Sequence, residues 1–140
     1  MRFEAQTILI RDQYFVFHPF PAMAGVQEDG TPTGLAYHRG IRSMTPPPIQ
    51  YERCYSLTHL ASGLCVSWDP SVNDEATARR WLELIAPLTD WTRPAWVLKE
   101  HASLVQEQVE AACRQACEEW QQQGKGVSHR TPPEVMVQEK

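Results

Sequence analysis

The residue pattern predicts an α+β fold: an antiparallel sheet of about four or five strands followed by two C-terminal helices packed on one face. Three observations carry this. The N-terminal segment is rich in β-branched and aromatic residues, and residues 53–68 alternate like a hairpin. From Asp74 onward the apolar residues change to helical spacing. A mostly helical protein with one hairpin is the alternative layout.

Taken in order, Phe3 to Ile10 and Tyr14 to His18 read as two strands joined by the polar loop Arg11-Asp12-Gln13. Pro19 and Pro21 are expected to end the second strand, because proline has no amide to donate to a ladder. Ala22 to Gln50 is rich in glycine and holds the triple proline Pro46-Pro47-Pro48, so it reads as turns around one short strand near Leu35 to His38. The hairpin Arg53 to Trp68 is the clearest element. With Ser62-Gly63 as a two-residue turn, Ala61 faces Leu64, His59 faces Val66 and Leu57 faces Trp68. That register puts Tyr55, Leu57, His59, Val66 and Trp68 on one face, and Cys54, Ser56, Thr58 and Cys65 on the other.

Asn73 or Asp74 caps a helix in which Ala78, Trp81, Leu82 and Ile85 recur at helical spacing, with Pro87 ending it. Thr92 and Pro94 suit the start of a second helix running from about Ala95 to Gln123, which Gly124 stops. Leu98, Ala102, Val105, Val109, Ala112, Ala116 and Trp120 form its apolar stripe. Such a helix would be roughly 40 Å long, more than the roughly 30 Å diameter of a small domain, so its far half should overhang, bend or find another partner. The chain thus divides into one domain, 1–123, and a polar, mobile tail, 124–140.

Composition limits function. A chain of 140 residues with 42% hydrophobic residues supports one ordinary core without staples. Mean hydropathy of −0.44, with no apolar run near the roughly 18 residues of a membrane span and no secretory leader, predicts a soluble cytoplasmic protein. A net charge of −4 and dispersed arginines argue against nucleic acid as a partner. The four cysteines are expected to be reduced in that compartment.

Chemistry-bearing constellations are sparse. Structural zinc needs four converging ligands; Cys113 and Cys117 have suitable spacing, but Cys54 and Cys65 are too far apart to complete the set, so no metal and no cofactor is expected. No nucleophile elbow or phosphate loop is present, and Gly124-Lys125-Gly126 follows a helix where a phosphate loop would precede one. His59 falls on an apolar sheet face, where it is either a hydrogen-bonded core histidine or the marker of a cleft between sheet and helices. His18 and His38 border strands and have no stronger claim. The catalytic reading therefore names only His59, as the weaker alternative of a small enzyme or ligand-binding domain. The favoured expectation is a noncatalytic protein-binding or oligomerising module, an adaptor, inhibitor or regulatory protein. It would act through Val105, Val109, Ala112, Ala116 and Trp120 of the long helix, pairing with a protein partner or with itself as a homodimer.

Overall fold

Five strands lie in chain order across one antiparallel sheet: β1 (Arg2–Arg11), β2 (Phe17–Val26), β3 (Pro32–Ser43), β4 (Gln50–His59) and β5 (Leu64–Trp68). Two helices follow, α1 (Glu75–Ile85), which runs into the 3-10 turn Ala86–Leu88, and α2 (Ala102–Val127). The computed structural model describes residues 1–43, 48–94 and 102–127, the side chains of 102–104 and 123–127 excepted. Among them no helix is long and apolar enough to cross a membrane. The α+β class, the strand number and the two helices agree with the sequence reading.

The glycine- and proline-rich region is more ordered than expected. β2 runs through both prolines, pairing Pro19 with Leu9 and Pro21 with Thr7. β3 joins β2 only from Met23 onward, so the prolines sit where the far side of β2 asks for no amide donor. β3 is a full 12-residue strand rather than a short one around Leu35. Its Gly34 adopts φ +87, and a Cβ there would stand 2.5 Å from the Trp91 carbonyl oxygen. That glycine marks a close backbone approach, not a chain reversal. The triple proline lies largely outside the described residues.

The β4–β5 hairpin exists, but its register differs. His59 pairs with Leu64 and Thr58 with Cys65; a bulge at Val66 then shifts the ladder, so Leu57 pairs with Ser67 and Ser56 with Trp68. The loop is four residues long, closed by the Gly63 amide donating to the His59 carbonyl at 2.8 Å. One inserted residue reverses the face of everything beyond it. Trp68, expected beside Leu57 in the core, is on the opposite face and 57% exposed.

The helices cover the Leu57 face. Asp74 caps α1 by accepting from the Ala76 and Thr77 amides, and α1 turns Ala78, Trp81, Leu82 and Ile85 inward. They meet Leu35, Tyr37 and Leu57 of the sheet and Val109, Cys113 and Ala116 of α2. The fully buried Trp81 donates its indole N–H to the Val109 carbonyl at 3.0 Å, tying the two helices through a bond formed out of water. Tyr37 donates to Glu75 at 2.5 Å and accepts from Arg79 at 2.7 Å, fastening β3 to α1. Burial and Glu75 push its phenol up to about 12. The other sheet face holds a separate cluster that includes Ile8, Ile10, Phe20 and Ala36.

The apolar stripe of α2, expected to overhang, is taken up inside the domain over most of its described length. Val109, Ala112 and Ala116 are buried, Val105 is partly buried, and Trp120 is 41% exposed. Residues 95–101, the expected start of the helix, lie outside the described residues. At its far end the helix passes Gly124 and reaches Val127, since a glycine costs a helix only about 1 kcal/mol. Most of the expected tail also lies outside the described residues.

These placements set a mutational contrast. Leu57→Asp and Val109→Glu each put an unpaired carboxylate into a fully buried site, so both should abolish cooperative unfolding at room temperature. Trp68→Ser and Trp120→Glu should change stability by about 1 kcal/mol or less. Urea denaturation of the four variants checks this, and wild-type stability in Leu57→Asp would refute the assignment of faces.

Candidate functional site

His59, the catalytic alternative, is held by hydrogen bonds at both ring nitrogens. It is buried on the helix-covered face, beside Trp91, with Nδ1 2.7 Å from Ser62 Oγ and Nε2 2.8 Å from the Arg93 carbonyl. The carbonyl can only accept, so Nε2 carries the proton and Nδ1 accepts from the serine hydroxyl. Both nitrogens are occupied in joining the β4–β5 loop to the chain after α1.

A cavity opens instead on the opposite face. The Arg11 amide donates to the Gly63 carbonyl at 3.0 Å, bringing the end of β1 against the β4–β5 loop and curling the sheet into a cup. The cup contains a cavity of about 450 Å³. Its polar side comes from His38 of β3 and Cys54, Ser56 and Thr58 of β4, all buried. Ile10, Ile41 and Trp68 supply apolar wall, and Arg11, Arg42 and Glu52 supply its charges. Glu52 is held by Arg42 at 2.8 Å.

His38 has one fixed role. Nδ1 lies 2.7 Å from the Arg39 carbonyl, which requires a proton on Nδ1, and Nε2 lies 2.7 Å from Thr58 Oγ1 and accepts from that hydroxyl. The imidazole is neutral at neutral pH because its pKa is lowered. Burial lowers its pKa from the ordinary 6.5, opposed by the bond to the Arg39 carbonyl. Arg11 is the incomplete partner: its Nε is buried with no hydrogen-bond acceptor among the described residues. Its guanidinium carbon lies 4.6 Å from the centre of the Phe15 ring.

Phe15 belongs to the second notable feature, the end of the β1–β2 hairpin. Asp12 accepts from the amides of Tyr14 and Val16 and pairs with His18 at 2.8 Å, which holds its carboxyl below the usual range. Around this polar pivot Tyr14 is 74% exposed and Phe15 71%, with Leu9, Val16 and Phe17 also exposed. Phe15 adopts φ +64, a conformation that glycine or asparagine takes with less strain.

Among the described residues no group of three or more histidine, cysteine, aspartate or glutamate side chains could hold a metal ion. Burial first, and then Asp69, push the Cys113 thiol up to about 12, which keeps it protonated and unreactive at neutral pH. All four cysteines are free.

The expected site residues are thus separated. Val105, Val109, Ala112 and Ala116 line the interior between α2 and the rest of the domain, Trp120 is partly exposed beyond them, and His59 is sealed elsewhere in the same core. The cup was missed because it depends on the pairing of β3 with β4 and on the closure of β1 onto Gly63, although His38 lay in the short strand expected there. Its sequence signal was the face carrying Cys54, Ser56, Thr58 and Cys65, whose small side chains without charge leave room beside the sheet. Comparison of the chain with protein-family models, with curated proteins and with solved structures finds no match.

The neutral His38 makes stability depend on pH. Its folded pKa is depressed, so the unfolded chain binds the additional proton; this contribution is intact above about 6.5 and is lost as pH falls toward the folded pKa. The urea midpoint should drop between pH 7.5 and 5.5, and drop less in His38→Gln. An identical drop in both proteins would contradict the assignment.

Proposed function

We propose that the chain is a noncatalytic protein-binding module whose contact element is the end of the β1–β2 hairpin. The observation that carries this reading is the exposure of Tyr14 and Phe15 at 74% and 71%, contiguous with Val16 and Phe17, at the tip of an ordered turn. Isolated exposed apolar residues are ordinary, but a cluster of large ones is unfavourable in water and suits an interface. Aromatic side chains also give much contact area for little lost conformational freedom.

Two further features support it. The positive φ of Phe15 places a bulky ring where a smaller residue would fit the backbone better, as expected when the ring serves something other than folding. Asp12 orders the turn from inside, so the aromatic residues are presented by a preformed loop and little ordering entropy remains to be lost on binding. The long helix becomes a secondary candidate, because most of its described stripe is buried and Trp120 remains as a single large exposed side chain. Noncatalytic action agrees with the hydrogen-bonded state of His59 and His38 and with the protonated Cys113.

A photo-crosslinking phenylalanine analogue at position 15, in cells that produce the protein naturally, tests the reading. It should give one discrete protein adduct, whose mass distinguishes a second copy from another protein. The same analogue at position 122, on the exposed side of α2, should give none. Tyr14→Ser with Val16→Thr should lower the yield at position 15 while changing stability by about 1 kcal/mol or less. Absence of an adduct at position 15, or equal adducts at both positions, rejects the hairpin as the contact element.

A further inference from the structure

We infer that the cup on the sheet face opposite the helices is a binding site for a small amphipathic monocarboxylate, with Arg11 as its anion anchor. This site adjoins the hairpin surface, since Phe15 stacks on Arg11, but it needs no protein partner.

The inference begins with volume. A cavity of about 450 Å³ falls within the roughly 300–1,000 Å³ of sites that take small organic ligands. The sheet could have been filled here as it is around Phe20 and Ile8, yet β3 and β4 present small polar side chains to the space. His38 and Thr58 satisfy each other across that floor, and Arg11 Nε is the buried side-chain polar atom left without a partner among the described residues.

Charge then selects the ligand. Arg42 and Glu52 neutralise each other, and among the cavity's described lining residues Arg11 is left with one positive charge in excess. Its Nε–H is buried and lacks an acceptor, which is the environment in which a charge-assisted bond to a carboxylate is strongest. Phe15 stacks on the guanidinium and supports its orientation. His38 cannot take the role of anchor, because its Nδ1 proton is given to the Arg39 carbonyl and its Nε2 is an acceptor. One free positive charge matches a monoanion better than a phosphate dianion. Ile10, Ile41 and Trp68 would receive the apolar body of the ligand. Thr58 donates its proton to His38 and keeps lone pairs available, so the polar floor can accept from a ligand hydroxyl or amide.

The experiment is calorimetric titration of the full chain with phenylacetate, its neutral amide phenylacetamide, and phenyl phosphate. Heteronuclear NMR of the unmodified protein follows the Trp68 indole N–H and the Arg11 side chain in parallel. Saturable binding of phenylacetate is expected, at least tenfold tighter than the amide and tighter than phenyl phosphate, with shifts concentrated at Trp68 and Arg11. Arg11→Met should remove the preference for the acid over the amide. If that variant does not fold, the acid-to-amide ratio and the shift map of the unmodified chain decide. Lack of saturation by about 10 mM phenylacetate, equal binding of acid and amide, tighter binding of phenyl phosphate, or shifts away from the cup would each overturn the assignment.

Discussion

The hydrogen bond from the Arg11 amide to the Gly63 carbonyl determines what becomes of the second face of the sheet. Two helices cover one face, and each large apolar side chain left in water on the other would forgo roughly 1.5–3 kcal/mol of burial. Curling the sheet replaces the missing layer. It gathers Ile8, Ile10 and Phe20 around Ala22, Ala24 and Ala36, whose small side chains let the strands curve toward one another. Gly63 permits the closure: its φ is +73, and a Cβ there would stand 2.8 Å from the Leu9 carbonyl oxygen. The cluster, the cavity beside it and the position of Arg11 all depend on that contact.

The elements legible in the sequence are those specified by nearby residues. Asp74 and the apolar spacing from Ala78 to Ile85 define α1, because a cap and an amphipathic face are local properties. β1 and β4 follow from local composition and alternation in the same way. The strand expected to start at Tyr14, by contrast, begins only at Phe17, because Asp12 holds the amides of Tyr14 and Val16 in the turn. What was not legible depends on distant chain. Prolines at 19 and 21 normally end a strand, but here β3 leaves that side of β2 unpaired, a fact set by β3 and absent from β2 itself. The bulge at Val66 was hidden because a regular register also gave a consistent apolar face. Trp68, the residue that distinguished the two, is apolar yet belongs to the cavity wall.

Histidines show the same limit in the candidate site. His59 and His38 are both buried and both bonded at each ring nitrogen, yet they serve opposite faces. His59 drew attention because its neighbours in alternation were apolar, and that neighbourhood proved to be ordinary core. His38 lay within the short strand expected near Leu35 to His38, but its partner Thr58 on β4 and the face it serves emerged only from the long-range pairing of β3 with β4. A buried histidine can be found from pattern, whereas the face it serves requires the register.

The two sides of the sheet also differ in how they are held. On the helix side, indole, phenol and guanidinium groups bridge separate elements: Trp81 to Val109, Tyr37 to Glu75, and Arg80 to Glu119 at 2.8 Å. Opening that side exposes a continuous apolar core and breaks bonds formed out of water, so it should track global unfolding. The cup side is closed by fewer contacts, and beside it the hairpin end keeps its aromatic rings in solvent. Binding surfaces are drawn from such weakly committed regions, because a side chain already packed inside the domain cannot also meet a partner. The long helix carries an extended apolar stripe, and the domain uses most of its described part internally. Among the described residues, large side chains that folding left uncovered cluster at the turn between β1 and β2, which is why the proposed contact is placed there.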